Sequence, residues 1–362
     1  MVIGYDAKRA FCNNTGLGNY SRMVIGSIAN EPEVSRCMLY SPRTKGKHEH
    51  YSDGLEHVEL REAKGLWLPS VWRSTVGCRL EEDGVELFHG LSHELPYGIP
   101  KGVKSVVTMH DLIVRRYPEY FKPADRIIHR WKQAHACRRA DLVIAISEQT
   151  KRDLMEMMHV PEEKIRVVYQ SCDPIFWAPP TTPATDYQLP EKYILCVGTL
   201  EERKNQLNVI KAMELLPEEV GLVIVGRPRG DYGRKVALME GGRVRIVTDA
   251  DFRDFPALYA RAVASVYMSH FEGFGIPVLE SLCCDTPVVT SNISSMPEAG
   301  GDAALYANPD DVEGIAQQLR RLIEDEHLRQ QCIEKGRIHR MRFAPEKVTQ
   351  DLLAVYQELL HH

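Results

Sequence analysis

The sequence lacks several features that would each place it in a particular class of protein. No apolar run approaches the roughly 18–20 residues that span a bilayer. The first residues carry no basic segment ahead of an apolar core, which predicts that there is no signal peptide. The net charge is −5, which argues against a nucleic-acid-binding domain. The nine cysteines form no Cys-x-x-Cys pair, as is usual in a reducing compartment. We therefore expect a cytoplasmic protein, soluble or peripheral on the inner face of a membrane, with no nucleic-acid partner.

What is present is the composition of a globular protein of two domains. The 362 residues are 44% hydrophobic and 26% charged, and this length fits two domains. Strand-like apolar runs alternate with helix-like segments, which indicates α/β domains with parallel sheets. A stretch rich in Pro and Thr, residues 173–191, has no hydrophobic period and is predicted to be a linker. The predicted domains are residues 1–172 and 192–344, with a final helix within 345–362.

The most informative stretch is residues 269–284, where a Gly-rich turn leads into a helix. Gly273 and Gly275 allow a tight turn, and the helix that follows offers its N-terminus to a phosphate. Glu272 lies on the loop and Glu280 inside the helix, and we expect their carboxylates to lie on the order of 10 Å apart. That separation is too large for an acid/base pair acting on one bond. It suits two carboxylates that accept hydroxyl hydrogen bonds from two sugars, one on either side of a diphosphate.

A pair of cations follows an apolar strand that ends near Gly198. On a loop at the carboxyl end of that strand, Arg203 and Lys204 can both turn inward. The planar fork of Arg and the point charge of Lys can together offset the charge of a diphosphate. This arrangement removes the need for a divalent metal. The alternative is a solvated, charged loop.

The first half contains a weaker phosphate-binding pattern and a well-placed histidine. Residues 15–20 follow the first predicted strand and precede a helix, as in a phosphate cradle, although such a loop can also be only a tight turn. The pattern Gly-x-Gly-x-x-Ser misses the full dinucleotide fingerprint, which argues against a nicotinamide dehydrogenase. His110 and Asp111 end a buried strand at 105–109, where open α/β sheets bind ligands. The ordinary pKa of His near neutrality would also let His110 transfer protons.

Together these patterns resemble the signature of the retaining, nucleotide-sugar-dependent glycosyltransferases of the family-four type. The resemblance covers nearly the whole chain and is strongest over 197–306. It implies the GT-B fold, in which two Rossmann-like doubly wound parallel-sheet domains face a central cleft and the last helix crosses back to the first domain. In that family the first domain binds the acceptor and the second binds the nucleotide sugar.

The resemblance also implies roles for individual residues. In the family the first Glu of the pair contacts the transferred sugar, the second Glu contacts the nucleotide ribose, and a His such as His110 contacts a sugar hydroxyl. No metal and no cofactor are expected. The residues expected to be catalytic are Glu272, Arg203, Lys204 and His110; those expected to bind the donor are Gly16, Gly198, Arg203, Lys204, Val247, Phe274, Gly275, Ile276 and Glu280; those expected to bind the acceptor are Asn14, Thr15 and Asp111.

The substrates are less constrained than the reaction. Residues 294–298 and 301–304 look most like those of bacterial mannosyltransferases of polysaccharide biosynthesis, which favours GDP-mannose as donor and a saccharide or lipid-linked acceptor. A UDP-glucose or other UDP-hexose donor is the alternative. A non-catalytic binding subunit of the same fold is a further alternative, which the intact set of Glu272, Glu280, Arg203 and Lys204 argues against.

Two further segments have competing interpretations. Residues 115–139 are strongly basic and carry apolar residues at helical spacing, which suits either an anionic membrane surface or an ordinary solvated helix. Asp249 and Asp251 form an Asp-x-Asp triplet, a metal-binding pattern in the other large transferase fold. Because a helix follows, capping of that helix is the favoured interpretation.

Overall fold

The computed structural model describes residues 1–46, 48–62, 69–180 and 186–361. The chain forms two compact units, Met1–Gln170 with Pro345–His362, and Ser171–Ala344. Residues 173–180 and 186–191 of the predicted linker therefore belong to the second unit, and 181–185 lie outside the described residues. The predicted linker begins as a 3₁₀ helix, Pro174–Phe176, and Phe176 is buried against Phe252 and Tyr259. Aromatic burial thus anchors a segment that its Pro and Thr content had marked as a connection.

The described part of the first unit carries a seven-stranded sheet in which every neighbouring pair is parallel. Its order is β3-β2-β1-β4-β5-β6-β7, so the direction of winding reverses between β1 and β4. Loops at the carboxyl ends of strands on either side of such a reversal form the usual ligand crevice of doubly wound folds. The strands are β1 (Val2–Asp6), β2 (Arg36–Ser41), β3 (Val58–Glu62), β4 (Leu87–Gly90), β5 (Lys104–Met109), β6 (Leu142–Ala145) and β7 (Ile165–Val167).

Helices cover this sheet, and the last helix of the chain is one of them. The helices are α1 (Lys8–Cys12), α2 (Gly16–Ala29), α3 (Pro69–Glu82), α4 (Ile113–Arg116), α5 (Pro123–Arg139), α6 (Glu148–Met158) and, from the chain end, α14 (Pro345–Leu360). Helix α14 buries Leu352 and Tyr356, and the Tyr356 hydroxyl lies 2.6 Å from His89 Nδ1 of β4. The predicted return of the final helix to the first unit is confirmed.

The described part of the second unit repeats the same architecture with six parallel strands. Its order is β10-β9-β8-β11-β12-β13, so the winding reverses between β8 and β11. The strands are β8 (Lys192–Val197), β9 (Val220–Val225), β10 (Val244–Val247), β11 (Ala264–Tyr267), β12 (Val288–Ser291) and β13 (Leu305–Ala307); the helices are α7 (Gln206–Met213), α8 (Gly230–Ala237), α9 (Phe255–Arg261), α10 (Ile276–Cys283), α11 (Met296–Gly300), α12 (Val312–Glu324) and α13 (Glu326–His339). Two Rossmann-like parallel-sheet units are confirmed, and the cleft expected between them stays a prediction. No helix within the described ranges has both the length and the hydropathy needed to cross a membrane.

Candidate functional site

The two strands at the winding reversal of the second sheet deliver the cationic pair and Glu272 to the same place. Strand β8 runs through Gly198 into a 3₁₀ helix, Glu202–Lys204, while β11 runs into the loop that carries Glu272. The two segments are hydrogen-bonded to each other, since the His270 N–H donates to the Arg203 carbonyl (2.9 Å). The topology therefore explains why residues almost 70 positions apart in sequence meet at one edge of the sheet.

Glu272 is held as a carboxylate by a converging set of donors. The guanidinium of Arg203 forms an ion pair with Glu272 Oε1, and the hydroxyls of Tyr267 and Ser269 donate to the same oxygen. Burial raises the pKa of Glu272, but the charges of Arg203 and Lys204 outweigh burial, so that the pKa is lowered overall. None of the described residues donates to Oε2, which leaves that oxygen able to accept from a ligand.

Arg203 is itself committed to protein partners. Besides Glu272, it donates to Glu201 Oε1 and to the Phe271 carbonyl, each at 2.6 Å. Burial disfavours its charge, but Glu272, Tyr267 and Glu201 raise the pKa of Arg203 above its ordinary value. Its first role is therefore to fix Glu272 in place.

Lys204 differs from Arg203 because none of the described carboxylates lies within ion-pair distance of its ammonium. Its side chain lies over Gly198, where an added Cβ would come within 2.9 Å of Nζ, and Nζ lies 5.4 Å from the centre of the Tyr267 ring. Gly198 has a φ of +140°, a second reason for glycine at this position. The Lys204 charge lowers the pKa of both Glu272 and Glu280. It is the cation of the pair that can offset a ligand's charge.

Glu280 lies in helix α10 and is only 8% exposed. Burial raises its pKa to about 7, and this rise is only partly offset by the Tyr259 hydroxyl, which donates to Oε2 (2.9 Å), and by Lys204. At neutral pH the side chain is thus poised between the acid and the carboxylate. A ligand hydroxyl that donates to Glu280 would favour the carboxylate.

The start of α10 matches the predicted turn, with differences in detail. Gly275 caps the helix with a φ of +119°, and a Cβ there would lie 2.8 Å from Met296 Cε. Ile276 is the first helical residue and is half-buried. Phe274 is buried against Phe343, with ring centres 5.1 Å apart, so any contact it makes with a donor is through its backbone. Val247 ends β10, and its carbonyl accepts from Gly226 N–H (2.9 Å).

In the first unit, the expected Gly-rich loop is largely helical. Helix α1 occupies Lys8–Cys12, and α2 begins at Gly16, so most of residues 15–20 are helical. Asn14, Thr15 and Gly16 are exposed, and a Cβ on Gly16 would meet nothing within 4 Å. The Asn13 side chain accepts from the Thr15 N–H (2.8 Å) and Thr15 Oγ1 (2.7 Å). The α2 N-terminus is therefore accessible to a ligand.

His110 follows β5 as predicted, but its pKa is not near neutrality, as the expected proton transfer assumed. Its ring is buried, with Tyr20 packed edge-on at 4.6 Å, and Nε2 donates to the Leu91 carbonyl (2.8 Å). Burial lowers the pKa of His110 to about 3, with His93 contributing in the same direction. The imidazole is neutral at physiological pH. With the proton on Nε2, Nδ1 is an acceptor that can receive a hydrogen bond from a hydroxyl.

Asp111 lines a cavity of about 200 Å³ in the first unit. Its walls combine apolar residues with the charged or polar side chains of Arg9, His93, Glu94 and Lys132. Lys132 is paired with Glu94 at 3.0 Å, and His93 has a positive φ of 61° and a buried Nδ1 without a partner. Arg9 follows β1, and His93 and Glu94 follow β4, the two strands at the winding reversal of this sheet. The cavity therefore occupies the expected ligand position of the first unit.

Sequence reasoning missed the residues that hold the two carboxylates. Tyr267 ends β11 and donates to Glu272, while Tyr259 lies in α9 and donates to Glu280. Ser294 and Ser295 hold the loop itself, because both donate to the Glu272 carbonyl (3.0 and 2.9 Å). The position of Tyr267 at a strand end was the one available signal. The Tyr259 contact depends on how two helices pack, which no local pattern records.

The Asp-x-Asp triplet caps a helix, as predicted. The Asp251 side chain accepts from the Arg253 N–H (2.9 Å) at the start of the 3₁₀ helix Phe252–Asp254, which leads into α9. Across the described parts of the chain, no group of three or more His, Cys, Asp or Glu side chains is arranged to hold a metal ion.

Two family models match successive parts of the sequence. The model described as Glycosyltransferase Family 4 matches residues 36–175, and the model described as Glycosyl transferases group 1 matches residues 184–339. The O-antigen chain mannosyltransferase B of Escherichia coli is 31% identical over 379 residues, which cover 95% of this chain and 96% of that protein. The O-antigen chain mannosyltransferase RfbU of Salmonella typhimurium is 30% identical over 229 residues, 62% of each chain.

Solved structures of similar fold cover the whole chain. HepE of Anabaena, in complex with UDP and glucose, has a TM-score of 0.73 at 18% identity and covers 99% of both chains. Sucrose-phosphate synthase of Thermosynechococcus elongatus has a TM-score of 0.76 at 19% identity, over 100% of this chain and 99% of that one. These likenesses show the GT-B fold.

Proposed function

The chain belongs to the family-four-type glycosyltransferases, and from that premise we propose that it is a retaining hexosyltransferase of polysaccharide biosynthesis. Its donor is a nucleotide-diphosphate hexose bound mainly by the second unit, and its acceptor is a saccharide or lipid-linked saccharide bound by the first. The relative that is similar over 95% of this chain is an O-antigen mannosyltransferase, which supports the reaction class.

One observation carries this proposal: the loop of Glu272 is hydrogen-bonded to the segment that ends in Lys204, and no described carboxylate lies within ion-pair distance of the Lys204 ammonium. This cation is near enough to the partly buried Glu272 and the buried Glu280 to lower the pKa of both. A nucleotide-diphosphate sugar has matching chemistry, with a diphosphate between two hydroxyl-bearing rings. In this proposal Glu272 accepts from the transferred sugar, Glu280 accepts from the ribose, and Lys204 offsets the diphosphate charge.

The proposed reaction breaks the bond between the anomeric carbon and the diphosphate oxygen and forms a bond from the same face to the acceptor oxygen. The acceptor proton goes to the departing phosphate oxygen. Lys204 and the α10 N-terminus would stabilise the negative charge that develops on the leaving group. His110 would accept a hydrogen bond from a sugar hydroxyl, while Asn14, Thr15 and Asp111 would contact the acceptor.

The stereochemical outcome is the direct test. Product NMR with a donor of defined anomeric configuration should show that configuration kept in the new linkage. An inverted linkage, or a trapped covalent sugar–enzyme adduct, would contradict the proposed mechanism. We expect full activity in the presence of EDTA, because the proposed reaction needs no metal. If EDTA abolished activity and Mg²⁺ or Mn²⁺ restored it, the proposal that no metal is needed would be refuted.

We propose GDP-mannose as the donor, on the basis of the mannosyltransferase relatives. UDP-glucose is the second candidate, because the Anabaena neighbour of this fold binds UDP and glucose. A thermal-shift panel of GDP-mannose, UDP-glucose and NAD should show stabilisation by one nucleotide sugar and none by NAD. Stabilisation by NAD alone would contradict the whole assignment, and a lack of turnover despite donor binding would favour a non-catalytic subunit.

The basic segment 115–139 is proposed to contact an anionic membrane surface. Helix α5 exposes three large apolar side chains, Ile127 (71%), Ile128 (50%) and Trp131 (51%), among basic residues, a combination that suits the interface of an anionic bilayer. Co-sedimentation with vesicles containing phosphatidylglycerol, and not with phosphatidylcholine alone, is expected, weakening as salt is raised. Trp131→Ser with Ile127→Ser should reduce binding, whereas Ile338→Ser, at an equally exposed site on α13, should not. Equal binding of both variants would support an ordinary solvated helix.

A further inference from the structure

A second cavity of the first unit takes no part in the proposed reaction. It has a volume of about 510 Å³ and lies between the C-terminal halves of α5 and α6. Its volume is within the range of small-molecule sites. Its lining combines cations and apolar groups: three charged side chains, Arg115, Arg138 and Lys164, face apolar surface that includes Cys137, Met157 and Met158. We call this cavity the Arg115 groove.

The three cations of the Arg115 groove have only neutral partners among the described residues. Arg115 donates to Gln133 Oε1 (3.3 Å) and the Arg130 carbonyl (3.0 Å), and Lys164 Nζ donates to the Arg138 carbonyl (3.2 Å). Arg138 Nε donates to the Ala134 carbonyl (3.3 Å). No Asp or Glu lines the groove. Three positive charges gathered without a counter-charge favour an anionic ligand.

The burial of these cations strengthens the case for an anionic ligand. Burial lowers the pKa of both Arg115 and Lys164, and Arg130 acts in the same direction on Arg115. Asp141 is near enough to Lys164 to act on its pKa, but its carboxylate already accepts from the Ser105 N–H and Oγ, each at 2.7 Å. Partly desolvated cations without a carboxylate are costly, and a bound anion would offset that cost.

The apolar part of the groove continues along α5 to exposed surface. Ile127, Trp131, Ala134 and Arg138 are spaced i, i+4, i+7 and i+11, so that they form one stripe of the helix. The first two are the exposed residues of the proposed membrane face, and the last two line the groove. An amphiphile that enters from a bilayer at this face therefore has a continuous apolar path to the three cations.

Most of the groove lies away from the edge of the sheet where the reaction is proposed. Helices α5 and α6 run back from the carboxyl edge of the sheet, so their C-terminal ends reach the amino ends of β6 and β7. His110 and the Asp111 cavity lie at the opposite, carboxyl edge. A four-residue strand separates the two edges by on the order of 13 Å. Arg115 connects the two edges, because it lies four residues after Asp111 and donates to Gln133, which lines the Asp111 cavity. The rest of the groove, from α5 and from residues 157–164, lies away from the expected acceptor position, so a ligand there would act as an anchor or effector.

We propose that the Arg115 groove binds a single-chain lipid phosphate. The phosphate lies among Arg115, Arg138 and Lys164, and the first part of the chain lies over Met157 and Met158. Both ends of this ligand are recognised. The cations bind the phosphate, and the thioether side chains, which adapt to irregular apolar shapes, bind the alkyl chain. This proposal does not depend on the identity of the donor or on the chemistry of transfer.

Isothermal titration of the intact chain with decyl phosphate, below its micellar concentration, tests the proposal. One equivalent should bind, at least tenfold more tightly than inorganic phosphate and than the neutral decyl maltoside. The double variant Arg115→Gln with Lys164→Gln should weaken binding of decyl phosphate by tenfold or more. Arg152→Gln, which removes a cation from α6 that does not line the groove, is the matched control and should bind like the unaltered chain.

Several outcomes would overturn the proposal. Equal affinity for inorganic phosphate and decyl phosphate would show that the protein does not recognise the alkyl chain of the lipid. Unchanged affinity in the double variant would place the lipid elsewhere, and tighter binding of an acidic hexapeptide than of decyl phosphate would identify a peptide site. If the double variant fails to fold by circular dichroism, the single variant Lys164→Gln, at the rim of the groove, replaces it and should still weaken binding severalfold. Donor binding, measured in parallel, should be the same in all of these variants.

Discussion

Glu272 and Glu280 lie eight residues apart, and their surroundings drive their protonation in opposite directions. Glu272 follows a strand and faces two cations and two hydroxyls, so its pKa falls despite burial. Glu280 lies one helix turn inside α10, with one hydroxyl partner and one cation, Lys204, acting on it, so burial dominates and its pKa rises to about 7. The same residue type is thus made a fixed carboxylate at one position and a titratable one at the other.

This difference separates two functions within one donor site. A group that must present a constant charge next to the reacting sugar benefits from an ion pair fixed before the substrate arrives. A group that only accepts hydroxyl hydrogen bonds can be charged by the ligand itself, at the cost of a pH-dependent affinity.

Removal of Arg203 should have the largest effect. Arg203→Ala takes away the ion pair of Glu272, whose pKa should then rise because burial is no longer offset. We expect kcat to fall by on the order of 10²–10³ and the remaining activity to increase with pH. Arg229→Ala is the matched control, since Arg229 also contacts Glu201 but is 77% exposed. A pH profile unchanged from that of the unaltered enzyme would show that Arg203 does not control Glu272.

Removal of the Lys204 charge should rank second. Lys204→Met keeps the aliphatic stem over Gly198 but removes the charge near both carboxylates, so kcat should fall by on the order of a hundredfold. Steady-state kinetics with the donor varied would separate kcat from KM. Lys211→Met, at an exposed position of α7, provides the control. Retention of full activity after loss of both Lys204 and Arg203 would refute the assignment of the diphosphate site.

Replacement of Glu280 should weaken the nucleotide and leave the chemistry nearly intact. Glu280→Gln keeps the shape but removes the carboxylate, and we expect the Kd for the nucleotide to rise by roughly tenfold with little change in kcat, since a hydrogen bond to a charged group contributes about 1.5–3 kcal/mol. The ligand favours the ionised form, and the free carboxyl has a pKa of about 7. Affinity of the unaltered protein should therefore rise from pH 6 to pH 8.

Calorimetry of the Gln variant over the same pH range supplies the reference. The nucleotide phosphates titrate equally in both proteins, so the difference between the two pH profiles belongs to Glu280. Parallel profiles would show that Glu280 does not titrate on binding.

Much of the donor site could be predicted from sequence because its parts are contiguous. The Gly-rich turn, the helix start at Ile276, and the adjacent Arg203 and Lys204 each depend on local backbone geometry and on the carboxyl ends of strands. Parallel-sheet topology then brings the segments together without further information. The alternation of strands and helices predicted both Rossmann-like units for the same reason.

What could not be predicted depends on packing between distant segments. The low pKa of His110 results from its burial, whereas residue type alone predicted an ordinary pKa near neutrality. The Pro- and Thr-rich segment was predicted to be a linker because composition does not show that Phe176 is buried against α9. The hydroxyls of Tyr267 and Tyr259, which complete the two carboxylate sites, were missed for the same reason.

The smallest expected effects come from those two hydroxyls, and they separate the carboxylates most cleanly. Tyr259→Phe removes the one hydroxyl that lowers the pKa of Glu280, so nucleotide affinity at pH 7 should fall by about 0.5–1.5 kcal/mol, with kcat unchanged. Tyr267→Phe removes one of several donors to Glu272, so a loss of similar size should appear in kcat and not in Kd. Tyr193→Phe, which loses a buried hydroxyl bonded to the Leu258 carbonyl, controls for the general cost of such a change. If both Tyr259→Phe and Tyr267→Phe altered Kd alone, the two carboxylates would share one role, and the separation between a fixed and a titratable group would have no functional meaning.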